Sequence, residues 1–220
     1  IELCDDKGNI CIKLRGLKFG LVENTYDEIN AVDAQSPDFG SLMLRPVWQE
    51  KIVASGLDMP QYKEHHVFFL GVKLADERLV EALPNVILTD LTCASGSLEK
   101  RFKEVALKLF SALKRILLSS PKGSVLVQVL LAKSDTTRTY AALSGLLKTV
   151  NIENPSLHCQ LIDLDCLGEM SHESCDEIST IVKDNAKVLC DTKIRYQGEK
   201  RFVQSFEEME NPSIACGVPW

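Results

Sequence analysis

A tyrosine can donate a proton to a substrate carbonyl when a lysine one helical turn later lowers the pKa of its phenol. Tyr140 is the candidate for this chemistry, but the residue four positions on is Ser144, and the next lysine, Lys148, is eight positions on. The ammonium group would therefore stand about two turns from the phenol. We interpret Tyr140 as a packing residue at the start of an amphipathic helix.

The four histidines form no recognisable ligand pair or nucleophile–base couple. His65 and His66 are adjacent and are predicted to precede a strand, where neighbouring side chains point to opposite faces. His158 is predicted to be a satisfied strand residue, and His172 is predicted to lie in a polar loop.

Two carboxylates, Asp163 and Asp165, close a predicted strand and share one of its faces. Ligands of α/β proteins often bind at the carboxyl ends of strands, so this pair has to be weighed as a site. We interpret it as a solvated strand end.

The eight cysteines do not have the spacing of a metal site. No pair is a Cys-x-x-Cys motif, and none stands beside a histidine at ligand spacing. Several lie in apolar runs, such as Cys159 and Cys190, so we predict buried thiols in a reducing cytoplasm. The eight positions are Cys4, Cys11, Cys93, Cys159, Cys166, Cys175, Cys190 and Cys216.

A glycine-rich turn between a strand and a helix lets backbone amides approach the phosphates of a nucleotide. The segment 73–77 follows a predicted strand and has no glycine but two carboxylates, and the segment 89–96 after the next strand has one glycine. Neither turn is typical of a dinucleotide or methyltransferase cofactor loop, and no Gly-x-Ser-x-Gly elbow occurs in the sequence. We therefore assign no catalytic, cofactor-binding or metal-binding residue to this chain.

Alternating strand and helix patterns position these residues. The first strand is predicted to be an edge strand, because Pro46 cannot donate to a β-ladder. The strands at 67–72 and 86–88 are short apolar runs and are predicted to be buried on both faces. Strands are predicted at 42–48, 67–72, 86–88, 125–131 and 157–164, and helices at 76–83, 97–118, 137–151 and 174–186.

The long helix has the clearest periodicity, and its ends are marked by Ser97 as N-cap and by Pro121. The last helix is predicted to begin with a capping box formed by Ser174 and Glu177. The long helix carries one apolar stripe, made of Leu98, Phe102, Val105, Leu109, Leu113 and Ile116.

Two hairpins flank the alternating part. Residues 1–22 alternate in hydrophobicity around a turn at 5–9, and residues 188–206 form two extended runs around the turn 197–199. Repeated βα units with buried strands and one terminal hairpin predict an α/β fold with a mostly parallel, Rossmann-like sheet and flanking helices.

Composition and charge exclude several kinds of partner. The 220 residues include 45% hydrophobic and 25% charged side chains, which is enough for one sizeable core. The net charge of −6 disfavours phosphate backbones and anionic lipid, so we expect no nucleic-acid or membrane partner. The first residues, Ile-Glu-Leu-Cys-Asp, and the last, Gly-Val-Pro-Trp, look like cuts through a longer polypeptide.

Three segments carry a resemblance to a known family, the ketoreductases of modular polyketide synthases. Residues 140–149 (YAALSGLLKT) with 153–156 (ENPS) resemble the helix and turn of the structural subdomain of these enzymes. Residues 45–48 (RPVW) are similar to its first strand, and residues 194–203 (IRYQGEKRFV) resemble its last hairpin. Residues 6–17 resemble the final strands of a dehydratase of such a synthase.

The resemblance implies a truncated, cofactor-free fold of the short-chain-reductase type. Its implied role is non-catalytic: it stabilises an adjacent NADPH-dependent catalytic subdomain in cis, which reduces β-ketoacyl chains carried by the phosphopantetheine of an acyl carrier protein. The style of the sequence resembles bacterial trans-acyltransferase assembly lines for antibiotic biosynthesis. No catalytic residue of the family can be carried over, and we assign no activity of its own to this chain.

The resemblance also implies the domain organisation. We expect residues 1–22 to end a dehydratase-like domain, 23–41 to be a linker, 42–212 to form the structural subdomain, and 213–220 to begin a linker to the catalytic subdomain. Two alternatives remain open at this point: a stand-alone interaction or dimerisation module, and a nucleotide-binding enzyme with an atypical loop.

Overall fold

The structure is a computed structural model that describes residues 2–4, 10–13, 43–71, 77–93, 96–119, 121–132, 137–164 and 172–209. The chain divides into two compact units, Ile1–Ser41 and Leu42–Trp220. In the first unit, strands β1 (Glu2–Cys4) and β2 (Ile10–Lys13) pair antiparallel, as the N-terminal hairpin pattern predicted. The predicted linkers at 23–41 and 213–220 lie outside the described residues.

The second unit contains a seven-stranded sheet in which five neighbouring strands are parallel. The two outermost strands on one side, β9 and β3, run antiparallel to their neighbours. The spatial order is β3-β9-β8-β7-β6-β4-β5. The strands are β3 (Leu44–Glu50), β4 (Glu64–Leu70), β5 (Ile87–Asp90), β6 (Val125–Ala132), β7 (Leu157–Leu164), β8 (Lys193–Gln197) and β9 (Lys200–Glu208).

Helices cover both faces of this sheet, which confirms the predicted α/β class with a mostly parallel sheet. On one face, α2 and α4 pack with α3 in one hydrophobic cluster, and on the other face α1 and α5 pack in a second cluster. The helices are α1 (Glu77–Ala82), α2 (Leu98–Ser119), α3 (Thr137–Tyr140), α4 (Leu143–Glu153) and α5 (His172–Ala186).

The central strands and the long helix follow the sequence pattern closely. Every residue of β6 is buried, and β7 has the predicted bounds. The core stripe of α2, meaning its buried apolar side, consists of Val105, Leu109, Leu113 and Ile116. Ser97 accepts a hydrogen bond from the backbone amide of Lys100 (3.4 Å), as expected for the N-cap of this helix.

Two predictions about strands are wrong. Strand β4 begins at Glu64, so His65 and His66 lie inside it and do not precede it. Strand β5 is the edge strand beside β4, and Ile87 remains 49% exposed, so the segment 86–88 is not buried on both faces. Val86 and Leu88 pack against the cluster of α1 and α5, whereas Ile87 points to the other face, where it is not covered.

Two predictions about helices are also wrong. The segment 137–151 is divided into α3 and α4, which are separated by a turn at Ala141 and Ala142. Helix α5 begins at His172, which places His172 in the helix and Ser174 past the N-cap position. The predicted capping box is therefore not the start of this helix.

Strand β3 is an edge strand, as Pro46 predicted, and the proline also protects its free edge. Just beyond the two ends of β3, the Lys51 amide donates to the carbonyl of Arg201, and the Met209 amide donates to the carbonyl of Met43. In the antiparallel register, this makes the odd-numbered residues of β3 the ones whose backbone groups bond to β9. By alternation, the even-numbered residues present their backbone groups to the free edge. Pro46 stands in the middle of that row and removes one donor, which discourages pairing with another strand.

We expect Pro46→Thr to increase self-association of the chain, because it adds a donor and a residue of high β-propensity at the free edge. Light scattering at several protein concentrations measures the effect. Gln49→Thr is the matched control, since the backbone of Gln49 already bonds to β9. Equal association of the two variants would contradict a protective role for Pro46.

Candidate functional site

The carboxyl ends of β4 and β6 are where an α/β sheet of this order would hold a ligand, because the strand order reverses between them. Two backbone amides near this end are already bonded to side chains. Gly71 donates its amide to the hydroxyl of Thr92 (3.1 Å), and Thr92 donates its amide to the carboxylate of Asp90 (2.7 Å). The segment 73–77 has no glycine, which is why no phosphate site was predicted there. Residues 73–76 of this segment lie outside the described part of the chain.

Tyr140 is a packing residue, as predicted. Its side chain is buried, and its ring stacks on Phe102 of α2 with 6.0 Å between centroids. Ser144 and Lys148 belong to α4, beyond the turn that ends the helix of Tyr140. The three residues therefore do not lie along one continuous helix.

The two adjacent histidines of β4 point to opposite faces, as expected. The His65 imidazole lies 2.9 Å (Nε2) from Oε1 of Gln128, while Nε2 of His66 lies 2.8 Å from a carboxylate oxygen of Glu64. Burial lowers the pKa of His65, which favours its neutral form. Since both histidines bond to different partners, they do not act as a pair.

The remaining sequence candidates are dispersed. Asp163 accepts a hydrogen bond from Nε of Arg195 at 3.0 Å, so it is an ion-pair residue and not only a solvated strand end. Asp165 lies outside the described residues. His158 is half-buried in β7, and His172 begins α5.

The described cysteines differ in their surroundings. Cys159 and Cys175 are buried as predicted, and burial raises the pKa of the Cys159 thiol to about 12. Cys190 is exposed, which contradicts its predicted burial, because it follows a turn after α5 and does not lie within a strand. Among the described residues no group of three potential metal ligands is found.

A chain of buried polar side chains crosses the α5 face of the sheet. Gln128 and Gln160 stand opposite each other on β6 and β7, and Nε2 of Gln128 donates to Oε1 of Gln160 at 2.8 Å. Gln128 also donates to the carbonyl of Val182, and Gln160 donates to the carbonyls of Asn185 and Val188. These bonds join the sheet to the last turn of α5 and to the residues after it.

The same chain of contacts continues to the terminal hairpin through Arg201. Its guanidinium donates to Oδ1 of Asn185 (2.9 Å), to Oδ2 of Asp191 (2.8 Å) and to the carbonyl of Lys51 (2.9 Å). Burial would raise the pKa of Asp191, but the hydrogen bonds and charges of Lys51 and Arg201 outweigh it and hold this pKa below its usual range. We call His65, Gln128, Gln160, Asn185, Asp191 and Arg201 the polar network.

The polar network links separate elements of the fold to one another. Its glutamine, asparagine and arginine groups bond to one another or to backbone carbonyls, and Arg201 and Asp191 have side chains only 5% and 4% exposed. No sequence motif marked it, because its members come from five separate segments. A polar residue inside an otherwise apolar strand, such as Gln128 in β6, was the available signal.

Helix α2 also carries exposed apolar side chains on the side opposite its core stripe, where Lys103 and Lys114 lie among them. Leu107, Phe110 and Leu118 are 54%, 52% and 73% exposed. Because successive residues of an α-helix turn by about 100°, these three share one side, opposite the core stripe. We call them the outer face of α2.

Both apolar and basic side chains surround the outer face. Ile152 of α4, which packs on the same sheet face as α2, is 72% exposed on the side away from its own core residues. A groove of about 450 Å³ runs beside Leu107, between α2 and β5, and Lys108 and Arg115 also line it. Exposed apolar residues on one side of a helix layer are typical of a surface that is covered by a partner.

The apolar residues of the terminal hairpin, Ile194, Tyr196, Phe202 and Phe206, would form a docking surface on a free hairpin, but in the structure they are not exposed together. Ile194 is fully buried, and Tyr196 packs against the same cluster, where its hydroxyl accepts a hydrogen bond from Asn185. Phe202 is half-buried, and only Phe206 is mainly exposed. The hairpin is part of the sheet, so its apolar area is largely used inside this chain.

Comparison with solved structures defines the class of the fold as that of polyketide synthase ketoreductases. A ketoreductase domain from the bacillaene assembly line matches with a TM-score of 0.64 and 23% identity over 77% of this chain and 39% of its own. An N-terminal ketoreductase from the macrolactin assembly line matches with a TM-score of 0.52 and 13% identity over 78% of this chain and 46% of its own. The truncated Rossmann-like prediction agrees with these partial matches.

Comparison of sequences points to the particular kind of multienzyme. The polyketide synthases PksN and PksL of Bacillus subtilis (strain 168) are 28% and 27% identical to this chain over its whole length. The chain spans 4% of the length of each of them. No protein-family model matches the chain. The findings are consistent with a ketoreductase-related region of a modular polyketide synthase, as the sequence resemblance implied.

In the described part of the chain, no helix is both long and apolar enough to span a membrane.

Proposed function

We propose that this chain contains the structural, non-catalytic subdomain of a polyketide synthase ketoreductase, and that it stabilises the catalytic subdomain that follows it. The observation that carries the proposal is the outer face of α2, three apolar side chains exposed opposite the core of the same helix. Such a surface is unfavourable in water and favourable when a partner buries it.

The occupant we propose is the remainder of the same ketoreductase. The chain corresponds to only 39% and 46% of the two ketoreductase chains that it resembles in fold, so more than half of such a protein lies outside the match. The proposal assigns NADPH binding and reduction of the β-ketoacyl group to that remainder. The carrier protein with its phosphopantetheine, the trans-acyltransferase context and the cytoplasmic location belong to the parent multienzyme in this proposal.

Charge introduced on the outer face tests the docking. Residues 1–220 are mixed with the remaining ketoreductase residues of the parent synthase as a second polypeptide, and calorimetry and thermal melting measure binding and stability. We expect the two parts to bind, and each to melt at a higher temperature together than apart. Leu107→Glu with Phe110→Glu should weaken binding at least roughly tenfold, because both carboxylates would be buried in the interface.

Val80→Glu is the matched control, since Val80 is 57% exposed on α1 on the other face of the sheet. It should leave the affinity unchanged. Equal melting temperatures apart and together, or full affinity of the double variant, would contradict the proposal. Titration of residues 1–220 alone with NADPH distinguishes the structural role from the nucleotide-binding alternative. Nucleotide binding would raise the melting temperature of this chain, whereas the structural role predicts no change.

A further inference from the structure

The α4 side of β8, β9 and β3 forms an exposed surface of its own. Ile194 is buried on the α5 side, so its neighbours on β8 and their cross-strand partners point to the opposite side. Among the described residues, neither hydrophobic cluster includes a residue of β9 or β3. We call this surface the open face, and it consists of Trp48, Lys193, Arg195, Phe202, Gln204 and Phe206.

The open face concentrates positive charge over an aromatic ring. The guanidinium carbon of Arg195 lies 4.2 Å from the ring centroid of Trp48, and Nζ of Lys193 lies 5.9 Å from it. Asp163 pairs with Arg195, and no described carboxylate forms an ion pair with Lys193. Burial and the charge of Arg195 lower the pKa of Lys193, while Asp163 acts against this shift. A second anion at this position would favour the charged lysine.

Apolar surface and a third cation adjoin these groups. Phe206 is 59% exposed, and Leu44 at the end of β3 is 49% exposed. A cavity of about 140 Å³ between α4 and the sheet is lined by Lys148, Lys193 and Phe206. The register also places Glu50, Lys200 and Glu208 on this side, and Glu50 pairs with Lys200 at 3.2 Å. The face then carries four cations against three carboxylates, a small positive excess in a chain whose net charge is −6.

We propose that the open face binds an acidic amphipathic helix from outside this chain, whose carboxylates meet Lys148, Lys193 and Arg195 and whose apolar side covers Trp48 and Phe206. A helix fits because helices cover the central strands β4, β6 and β7 on both faces. An added strand does not fit, since Pro46 interrupts the free edge of β3. The site is separate from the outer face of α2, so it stands independently of the proposed docking of the catalytic subdomain.

Titration with designed peptides tests this proposal. The probe is a helical peptide of about 20 residues with a leucine stripe and glutamates on its other side. The comparison peptides carry lysines in place of the glutamates, or serines in place of the leucines. Calorimetry with residues 1–220 should give a dissociation constant below about 100 μM for the acidic amphipathic peptide only. Salt should weaken this binding.

Charge reversal locates the site. Lys148→Glu with Lys193→Glu should weaken the binding at least roughly tenfold, and Phe206→Ser, which leaves the charges in place, should weaken it severalfold. Lys183→Glu, on the exposed side of α5, is the matched control and should have no effect. Leu107→Glu should also leave peptide binding intact, so loss of α2 docking and loss of this site remain distinguishable.

Three results would overturn the proposal. One is equal binding of the lysine or serine peptide, which would indicate non-specific attraction. Another is the absence of binding by the acidic amphipathic peptide. The third is a concentration-dependent dimer in light scattering that Phe206→Ser dissociates, because the open face would then be covered by a second copy of this chain.

Discussion

Replacing Arg201 by leucine is expected to lower the free energy of unfolding by about 3–5 kcal/mol at neutral pH. The guanidinium is 5% exposed and bonds to Asp191, to Asn185 and to the carbonyl of Lys51. Its removal leaves the Asp191 carboxylate buried, with Lys51 as its remaining cation. Urea denaturation followed by circular dichroism measures the loss. Arg45→Leu is the matched control, because the ion pair of Arg45 with Glu207 is exposed and should contribute less than about 1 kcal/mol.

The same variant should change how stability depends on pH. In the native protein the pKa of Asp191 lies below its unfolded value, so the stabilisation is present above the unfolded pKa. It is lost as the pH falls through the lower, folded pKa. Without Arg201 the folded pKa rises, so the loss of stability between about pH 5 and pH 2 should become shallower. An unchanged acid slope, or a loss in Arg201→Leu no larger than in Arg45→Leu, would contradict this account of the pair.

Replacing Gln128 by leucine should lower the free energy of unfolding by about 2–4 kcal/mol, the second largest effect we expect. Both amide protons of Gln128 are used, by Gln160 and by the carbonyl of Val182, so its Oε1 accepts from Nε2 of His65. The substitution leaves three buried polar groups without this partner, and each costs roughly 1–3 kcal/mol before relaxation. A leucine of similar volume avoids a large cavity, so the loss measures the hydrogen bonds.

The control for this variant is Gln49→Leu, at an exposed position of β3. Thermal melting of both variants should show a clear loss for Gln128 and almost none for Gln49. The triple variant that combines Gln128→Leu with His65→Leu and Gln160→Leu adds a further check. If the network holds α5 on the sheet through these bonds, removing all three polar groups should cost less than the sum of the single losses. Full additivity would contradict coupling among the three side chains.

Together these contacts give the structural role a physical basis inside the chain. Arg201 joins β9 to the loop after β3 and to the residues that follow α5, and the glutamines join α5 to β6 and β7. The terminal hairpin is thereby fixed to the sheet, and the outer face of α2 is presented by a helix whose core stripe is buried. A rigid layer of this kind costs little further ordering when a partner docks on it.

The sequence by itself determined the elements whose pattern is local. The mainly apolar runs of β6 and β7, the 3.6-residue period of α2 and the glycine-containing turn of the terminal hairpin all depend on neighbours within a few residues. The resemblance in residues 140–156 and 194–203 also indicated the ketoreductase-related class before any fold was known. Pro46 marked an edge strand, because its lack of an amide hydrogen is a property of the residue itself.

Only the tertiary structure decided the features that depend on distant segments. Whether the run at 86–88 is buried on both faces depends on which helices cover it, and periodicity cannot show this. Cys190 follows the apolar residues Val188 and Leu189 and is exposed, whereas Ile194 stands between Lys193 and Arg195 and is fully buried. The polar network and the outer face of α2 also depend on segments that are distant in the sequence. Hydrogen-bond partners and solvent exposure are set by side chains that meet only after the sheet has formed.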